Sequence, residues 1–524
     1  GNLAVVESEG NRSILQNGLV LFTAPDVSAA EEAVHFPLLE HRAPVSVLMI
    51  GGGLNGSIAE VLKHPSVARV DYVELDPKVL LISRRDLPQT WSKIESDSRV
   101  RVHAEDGRMF VKNSDQRFDV IIVNLPEPQT AQLNRFYTEE FFAEAAAKLN
   151  SGGILALHLH GAEEYISPAL AEFLASIHHT LRRVFPQVIA IPGEEVHLLG
   201  SRDSDALTVD PNILLARLHG RRIQTSYVRE YYLPARMAPD RVADLRVQLE
   251  NSAGRTNRDF APSGYYFSVA LWGAQFSNAY RDLFRSAAQV RFSTLLIATT
   301  LLTLFVLLIF GIRREKERRA IASARFAIAS SGLIVMGSEI ILLLGFEAIY
   351  GYVFDEIAIV IAGFMAGMAV GSWLAIRASR GTHPLSLYLL VTQIGMTALP
   401  IAVAGLLSFM NGVRGEWASA LIAHGAIPLI AVACGVLGGY QFPIALSIAR
   451  ANAHSAGKLY GLDLLGAAVG AILLSTYLLP VFGFFNAALL MSVPSVGAVA
   501  LICLSRILNA SSTHSVHDLK TLAQ

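Results

Sequence analysis

The spacing of apolar and polar positions divides the chain into three regimes. Residues 2–24 alternate and carry turn signals at 9–11 and 16–18, which predicts a small antiparallel β-domain. From 45 to about 199, short apolar runs alternate with amphipathic stretches. The runs at 45–50, 70–73, 100–103, 118–123, 154–158, 188–191 and 196–199 read as strands, and the stretches at 31–41, 58–63, 137–149, 167–184 and 211–218 as helices. That alternation predicts a mostly parallel sheet covered on both faces. Beyond 291 the pattern changes to long, nearly uncharged runs of bilayer-crossing length, at 292–312, 325–347, 356–376, 385–407, 419–446, 460–481 and 484–505. The expected organisation is an N-terminal β-hairpin domain with a lid helix (1–40), a Rossmann-like α/β domain (41–204) and an accessory, juxtamembrane region (205–290). A seven-helix membrane domain (291–506) and a cytoplasmic tail (507–524) complete it.

The chemistry concentrates where the first strand ends. Gly51, Gly52 and Gly53 follow an apolar strand, a helix follows them, and the next strand ends in Glu74, 21 positions beyond Gly53. Strand, glycine turn, helix, strand and acid form the opening of a nucleotide site: glycines permit close approach, a helix N-terminus offers N–H groups, and an acid accepts the ribose hydroxyls. Asp106 and Gly107 follow the third strand and Asn124 the fourth, so all of these fall at the carboxyl edge where such sheets bind ligands. The segment 256–262 is a candidate closing segment. The aromatic stretch of Tyr265, Tyr266, Phe267, Trp272 and Phe276 is expected to pack against the membrane portion or lie in its interface, with the lining of a pocket as the alternative.

Composition narrows this reading. Only 17% of the 524 residues are charged and the mean hydropathy is +0.41, too apolar for an ordinary soluble enzyme. A net charge of −1 argues against a nucleic-acid partner. Cys434 and Cys503 both lie in apolar runs, and no metal site is expected. The chain opens at Gly1, directly into a strand, so further sequence is expected upstream.

Within the spans, Gly363, Gly367 and Gly371, like Gly466 and Gly470, recur at helix-packing intervals. Glu339 and Asp463 are costly in lipid and mark either a polar cavity or internally bonded packing residues, with Gln393, His424 and Gln441 as companions. Basic residues bias one set of connectors: Arg313, Arg314, Lys316, Arg318 and Arg319, then Arg377 and Arg380, then Arg450 and Lys458. The opposite connectors carry Asp355 and Glu356, then Arg414 with Glu416, and Arg281, Arg285 and Arg291 precede the first span. Basic-side-inside placement puts the soluble domain outside the membrane, with a cytoplasmic soluble domain as the alternative. The outward orientation sits poorly with a cofactor made inside the cell.

Across VLMIGGGLNGSIAEVLKHPSVARVDYVELDP, HAEDGRMF and FDVIIVNLPEPQ the chain resembles the polyamine aminopropyltransferases, the spermidine and spermine synthases. MAGMAVGSWLA at 365–375 and YGLDLLGAAVGAILL at 460–474 extend the resemblance to the bacterial membrane-fused spermidine synthase-like proteins. The fold so implied is an α/β Rossmann-like domain of the S-adenosylmethionine-dependent methyltransferase type, with a small N-terminal β-domain, fused to a multi-span α-helical membrane domain. The implied cofactor is decarboxylated S-adenosylmethionine or S-adenosylmethionine, with no metal. By the resemblance Gly51, Gly52 and Gly53 line the cofactor, Glu74 binds its ribose, Asp106 and Gly107 face the adenine, and His35 on the lid helix belongs to the amine site. Two positions depart from the family. Its GGGDGG loop is GGGLNG here, so Leu54 stands where an aspartate holds the aminopropyl ammonium, and Asn124 stands where an aspartate helps take the amine's proton. Asparagine is no general base. Glu127 keeps the motif's second acid.

Four readings follow. One is a transferase modifying a small-molecule, lipid-borne or peptide-borne nucleophile at the membrane, with Glu127, His158, His160 or His35 as proton acceptor. Another is an ordinary polyamine aminopropyltransferase that tolerates the substitutions. A third is a catalytically degenerate module for assembly or maturation of an extracytoplasmic partner. The fourth is a transporter with a regulatory soluble domain, resting on Glu339 and Asp463. Assembly as a homodimer and assembly with a membrane-protein partner both stay open.

Overall fold

The computed structural model describes residues 1–524 apart from 1, 9, 17, 277–281, 283–285, 288, 312–314, 352–353, 414, 450–452 and 522–524. The side chains of 19, 269, 272, 274–276, 311, 316, 354–356, 416, 419, 453–455 and 509–521 are likewise outside the description. Glu9, Asn17, Arg281, Arg285, Arg313, Arg314, Arg414 and Arg450, and the side chains of Trp272, Phe276, Lys316, Asp355, Glu356 and Glu416, therefore lie outside the described residues. The chain forms two compact units, 1–281 and 282–524.

In the first unit, β1 (Leu3–Ser8), β2 (Asn11–Gln16) and β3 (Leu19–Ala24) make an antiparallel sheet in the order β1-β2-β3. A seven-stranded sheet follows, built from β4 (Ser46–Ile50), β5 (Arg69–Glu74), β6 (Val100–Ala104), β7 (Phe118–Val123), β8 (Leu149–His160), β9 (Gln187–Ile191) and β10 (Glu195–Ser201). Its order is β6-β5-β4-β7-β8-β10-β9, parallel except that β10 runs antiparallel to both β8 and β9. Every residue of β4 and β7 is buried, as expected for central strands with both faces covered. Helices open at polar caps followed by proline, as at Asp76-Pro77, Ser167-Pro168 and Asp210-Pro211, which fixes where each strand-to-helix turn ends.

Register then sets the edge. Ile50 pairs with Val73 and Val123, and Val123 with Leu157, so Gly51, Glu74, Asn124 and His158 each follow a paired residue at one level of the sheet. Glu74 pairs with Ala104, two residues before Asp106.

The helix Val27–Glu40 is longer than expected, and ten of its residues from Glu31 to Glu40 are buried. Its acids hold the 205–236 region. Glu31 accepts the N–H groups of Ser226, Tyr227 and Val228 (2.6, 2.8 and 3.0 Å), and Glu40 accepts from Thr208 N–H (2.9 Å). Glu40 is fully buried, its Oε1 lacks a partner, and burial pushes its carboxyl up to about 8 against the opposing pull of Thr208 N–H and Arg217. The folded pKa lies above the unfolded one, so this stabilisation is complete below about pH 4.5 and is lost as pH rises through about 8. Glu40→Gln is therefore expected to flatten that slope and to raise the unfolding temperature above neutral pH. Thermal unfolding at pH 5 and pH 8.5 checks it, and an equal shift at both would contradict the assignment.

Among the described residues, the second unit contains six helical stretches long and apolar enough to cross a membrane: Phe292–Phe310, Glu317–Tyr350, Ile357–Ala378, Leu385–Asn411, Ile422–Ile448 and Ala456–Leu508. The last is 53 residues long and leaves helical geometry at Gly483 (φ 80°, ψ 169°), between the two spans placed at 460–481 and 484–505. Single π-turns interrupt it at Leu474–Leu478 and the preceding stretch at Ile422–Ala426, the latter containing His424. Glycines seat the helices closely. A side chain on Gly367 or Gly371 would strike the backbone of Val432 or Val436, and one on Gly435 or Gly439 the backbone of Phe364 or Met368. Gly466 and Gly470 approach Ala329 and Leu333 in the same manner.

Candidate functional site

The glycine turn is locked onto the end of β7. Gly51 and Gly52 have φ of 69° and 61°, left-handed values that favour glycine. A Cβ on Gly52 would lie 2.5 Å from Asn124 O, and one on Gly51 would collide with Leu125. The chain's own packing therefore requires both glycines. Gly53 is close to Ile58 and Tyr72, and Gly107 to Ile50 (2.5 Å from Cγ2 to its built Cβ). Leu54 is fully buried in the core cluster with Leu38, Met49, Ile58 and Ile122, so it belongs to the packing beneath the turn.

Glu74 ends β5 with its Oε2 accepting from Tyr72 OH (3.0 Å) and its Oε1 from Asp76 N–H (3.3 Å). Burial raises its pKa, with the Tyr72 hydroxyl opposing, and no cation pairs with it among the described residues. A carboxylate placed this way keeps acceptor capacity beyond these donors. Asp106 is more committed. It caps the helix Gly107–Asn113 through Met109 N–H (2.9 Å) and pairs with the fully buried Arg135 (2.5 Å). Arg135 was not singled out from sequence, since nothing in its local pattern marks a partner 29 residues away.

Asn124 and His158 belong to one hydrogen-bond chain. Ser57 N–H and Oγ–H both point to Asn55 Oδ1 (3.0 and 2.7 Å), so the Asn124 amide turns its NH2 toward Ser57 Oγ (3.4 Å) and its Oδ1 toward His158 Nε2 (3.0 Å). His158 Nδ1 meets Glu195 (2.8 Å). Both ring nitrogens are thus engaged, one by Asn124 and one by Glu195. Burial opposes ionisation of Glu195, but the hydrogen bond and charge of His158, with His197 and Arg236 behind it, hold its carboxyl down at about 2. His158 stacks on His197 (centroids 5.8 Å apart), which pairs with Glu32 (3.0 Å), itself bridged by Arg236 (3.1 Å). Glu195, His197, Glu32 and Arg236 are further residues that sequence reasoning missed, the only signal being the polar residues of 195–197 in an otherwise apolar strand.

Glu127 follows β7 and accepts His160 N–H through Oε1 (2.7 Å), while Oε2 makes no further hydrogen bond among the described residues. The His160 side chain is exposed at the end of β8. Tyr137, fully buried, fixes this loop by donating to Leu125 O and Pro126 O (3.0 Å each). His35 is not brought to this group. It is fully buried in a second relay in which Arg221 donates to His64 (3.0 Å), His64 to His35 (3.0 Å) and His35 to Glu60 (3.1 Å).

The segment 256–262 is a strap rather than a flap. Asn257 donates to Asn134 Oδ1 and Tyr137 O (2.9 Å each), and Asp259 accepts from Arg108 (2.7 Å from both Nη1 and Nη2) and Thr138 (2.8 Å). Tyr266 and Phe267 are buried within this unit, on a helix packed against Pro168–Arg182, which accounts for that part of the aromatic stretch.

In the second unit, Gln393 donates to Ser330 (3.1 Å) and Ser495 (2.7 Å) and accepts from Gln441, joining four helices. Gln441 Oε1 has no partner. Glu339 and Asp463 form no side-chain hydrogen bond or ion pair among the described residues, and Asp463 lies against Gly332, 2.9 Å from its built Cβ.

A seven-stranded sheet with one antiparallel strand, a glycine turn after its central strand and acids ending the next two define a Rossmann-like domain of the nucleoside-binding type. Residues 27–193 match the family model described as the spermine/spermidine synthase domain. The chain is 32% identical over 256 residues to the polyamine aminopropyltransferase of Bacillus subtilis (strain 168), covering 47% of this chain and 88% of that protein. It is 34% identical over 255 residues to that of Bacillus mycoides (strain KBAB4), covering 46% and 88%. A crystal structure of spermidine synthase from Thermotoga maritima is similar at 23% identity and a TM-score of 0.38, covering 47% of this chain and 87% of that one. The chain belongs to the spermidine synthase/polyamine aminopropyltransferase superfamily, with a multi-helical C-terminal region added.

Proposed function

We propose that the protein is a membrane-bound spermidine synthase-like transferase of the bacterial inner membrane. It uses an adenosyl-sulfonium cofactor, S-adenosylmethionine or its decarboxylated form, to alkylate an amine or other nucleophile presented at the membrane. The observation that carries this reading is Glu74: a half-buried carboxylate with spare acceptor capacity and no paired cation among the described residues, level with the glycine turn. A ribose diol is the complementary donor pair. The cofactor supplies an alkyl carbon next to sulfur that a nucleophile can attack. Glu74 holds the nucleoside, and Arg135 keeps Asp106 in place at the adenine side. Asn124, oriented by His158 and Glu195, directs the nucleophile through its amide. His158 has both ring nitrogens engaged by Asn124 and Glu195, and His35 is sealed in its own relay, so neither turns a free nitrogen toward a substrate. Glu127 is the acceptor that the geometry favours, through its unbonded Oε2.

Glu127→Gln is accordingly expected to lower transfer to an amine acceptor by about 10²-fold while leaving cofactor affinity unchanged. Single-turnover transfer from labelled cofactor, alongside calorimetry, measures the two separately. Unchanged transfer would remove Glu127 from the chemistry. Burial of Leu54 in the core favours a second reading, a degenerate module serving an extracytoplasmic partner. Intact cofactor binding without transfer to any amine would favour it over the first.

A further inference from the structure

The membrane unit contains a cavity that the transferase reading does not use. It has a volume of about 180 Å³ and lies between four helices at their connector ends, lined by Ser323, Ser386, Leu389, Ile502, Ser505 and Arg506 among others. These residues come one to three turns before or after Ser330, Gln393 and Ser495, so the cavity lies along the same four-helix seam as the buried amide cluster. Its end of the bundle is the one that carries Arg319, Arg377 and Arg380.

Arg506 gives the cavity its chemistry. An arginine near a membrane surface ordinarily extends its guanidinium into water. Here Nη1 is buried and has no hydrogen-bond partner, and no carboxylate pairs with the side chain among the described residues. An unpaired buried N–H on a charged group is costly, more so between apolar helices, unless an acceptor fills the space. Ser505 is buried, and its hydroxyl, like that of Ser386, makes no hydrogen bond among the described residues. Ser323 instead spends its proton on Ala320 O (2.9 Å). Ser386 also lies in the first turn of the helix Leu385–Asn411, whose cap residue Pro384 offers no side-chain acceptor. The first N–H groups of that helix, and its positive dipole end, therefore face the same region as the guanidinium.

We propose that this cavity binds a phosphate oxyanion, with Arg506 supplying the charge and Ser505 and Ser386 supplying hydroxyl donors. At roughly 30 Å³ per water, 180 Å³ has room for about six waters, enough for a phosphate group but too little for a nucleotide. The phosphate is either that of a lipid headgroup entering from the bilayer or a free ion entering from the aqueous side. Both present the same oxygens to the same donors.

The test follows thermal unfolding of the full chain in a neutral detergent. Phosphatidylglycerol in mixed micelles and inorganic phosphate are titrated separately, with chloride at matched ionic strength as control. A saturable rise with phosphatidylglycerol alone assigns the site to a lipid headgroup, and a rise with inorganic phosphate as well assigns it to the free oxyanion. In either case Arg506→Leu is expected to need at least about tenfold more ligand for the same rise, the loss of a charge-assisted hydrogen bond. Ser505→Ala, which changes one oxygen, should weaken the response without altering the starting unfolding temperature, and it decides the matter should Arg506→Leu fail to fold. No rise with either ligand, or a wild-type response from Ser505→Ala and any folded Arg506 variant, overturns the proposal.

Discussion

Replacing Glu74 by alanine is expected to weaken binding of an adenosyl thioether by about 10²-fold or more. The carboxylate lies at the level of Gly51 and Asn124, accepts from Tyr72 OH and Asp76 N–H, and pairs with no cation among the described residues. Hydrogen bonds to a charged acceptor contribute roughly 1.5–3 kcal/mol each, and a ribose diol would make two. Alanine also strips the fully buried Tyr72 hydroxyl of its acceptor, so part of any loss reflects damage to the fold. Glu74→Gln separates the two effects: it keeps an oxygen for Tyr72 but removes the charge. It should retain wild-type unfolding while losing about tenfold in affinity. Calorimetry with methylthioadenosine measures both variants, and equal affinities for Glu74→Gln and wild type would place the nucleoside elsewhere.

Replacing Arg108 by methionine should produce the largest loss of stability in the first unit. Its guanidinium is fully buried and donates to Glu144 (2.8 and 3.0 Å) and to Asp259 (2.7 Å twice). Burial opposes its charge, and the Asp259 and Glu144 carboxylates more than overcome this, holding its pKa well above the ordinary arginine value. Methionine fills similar volume but takes the guanidinium away from Asp259 and leaves Glu144 with Lys112 alone (3.4 Å), and burial with Asp259 alongside already raises Glu140 to about 7. Breaking a buried pair by removing one partner costs on the order of 3–5 kcal/mol. For a unit of this size that corresponds to roughly 10 °C in unfolding temperature. The strap at 256–262 should also become a site of proteolytic nicking, because Asp259 and Asn257 are what fasten it. A variant that unfolds with wild-type midpoint and resists protease would contradict the role given to Arg108.

Much of this architecture is legible in the sequence because it depends on local pattern. The run 118–123 is wholly apolar but for Asp119 and becomes the wholly buried β7, and the spacing from the glycines to Glu74 places an acid at the end of the neighbouring strand. Gly367, Gly371, Gly466 and Gly470 seat helices against each other, as their four-residue intervals imply. What the sequence conceals is which distant residues meet. Arg108 and Asp259 are 151 positions apart, and neither has a neighbour that betrays the pairing. A strap fastened at such a distance looks, in sequence, like a mobile loop. Nothing in the sequence of the helix Val27–Glu40 tells that Glu31 and Glu40 accept backbone N–H groups from 208 and 226–228. His35 is similar: histidine beside acids suggests chemistry, and only the relay through His64 to Arg221 shows both its nitrogens occupied. The chain from Ser57 through Asn124 and His158 to Glu195 is also invisible in one dimension, because its members come from four separate segments.

The central claim is that the carboxyl edge of β4, β5 and β7 holds an adenosyl group. Calorimetric titration of the full chain in detergent with S-adenosylmethionine, its decarboxylated form and methylthioadenosine tests this most directly. The predicted result is saturable binding of at least one of the three, weakened by Glu74→Gln and unaffected by Glu127→Gln. Binding of none of them by protein that unfolds cooperatively would contradict the claim, and with it the assignment of a transferase.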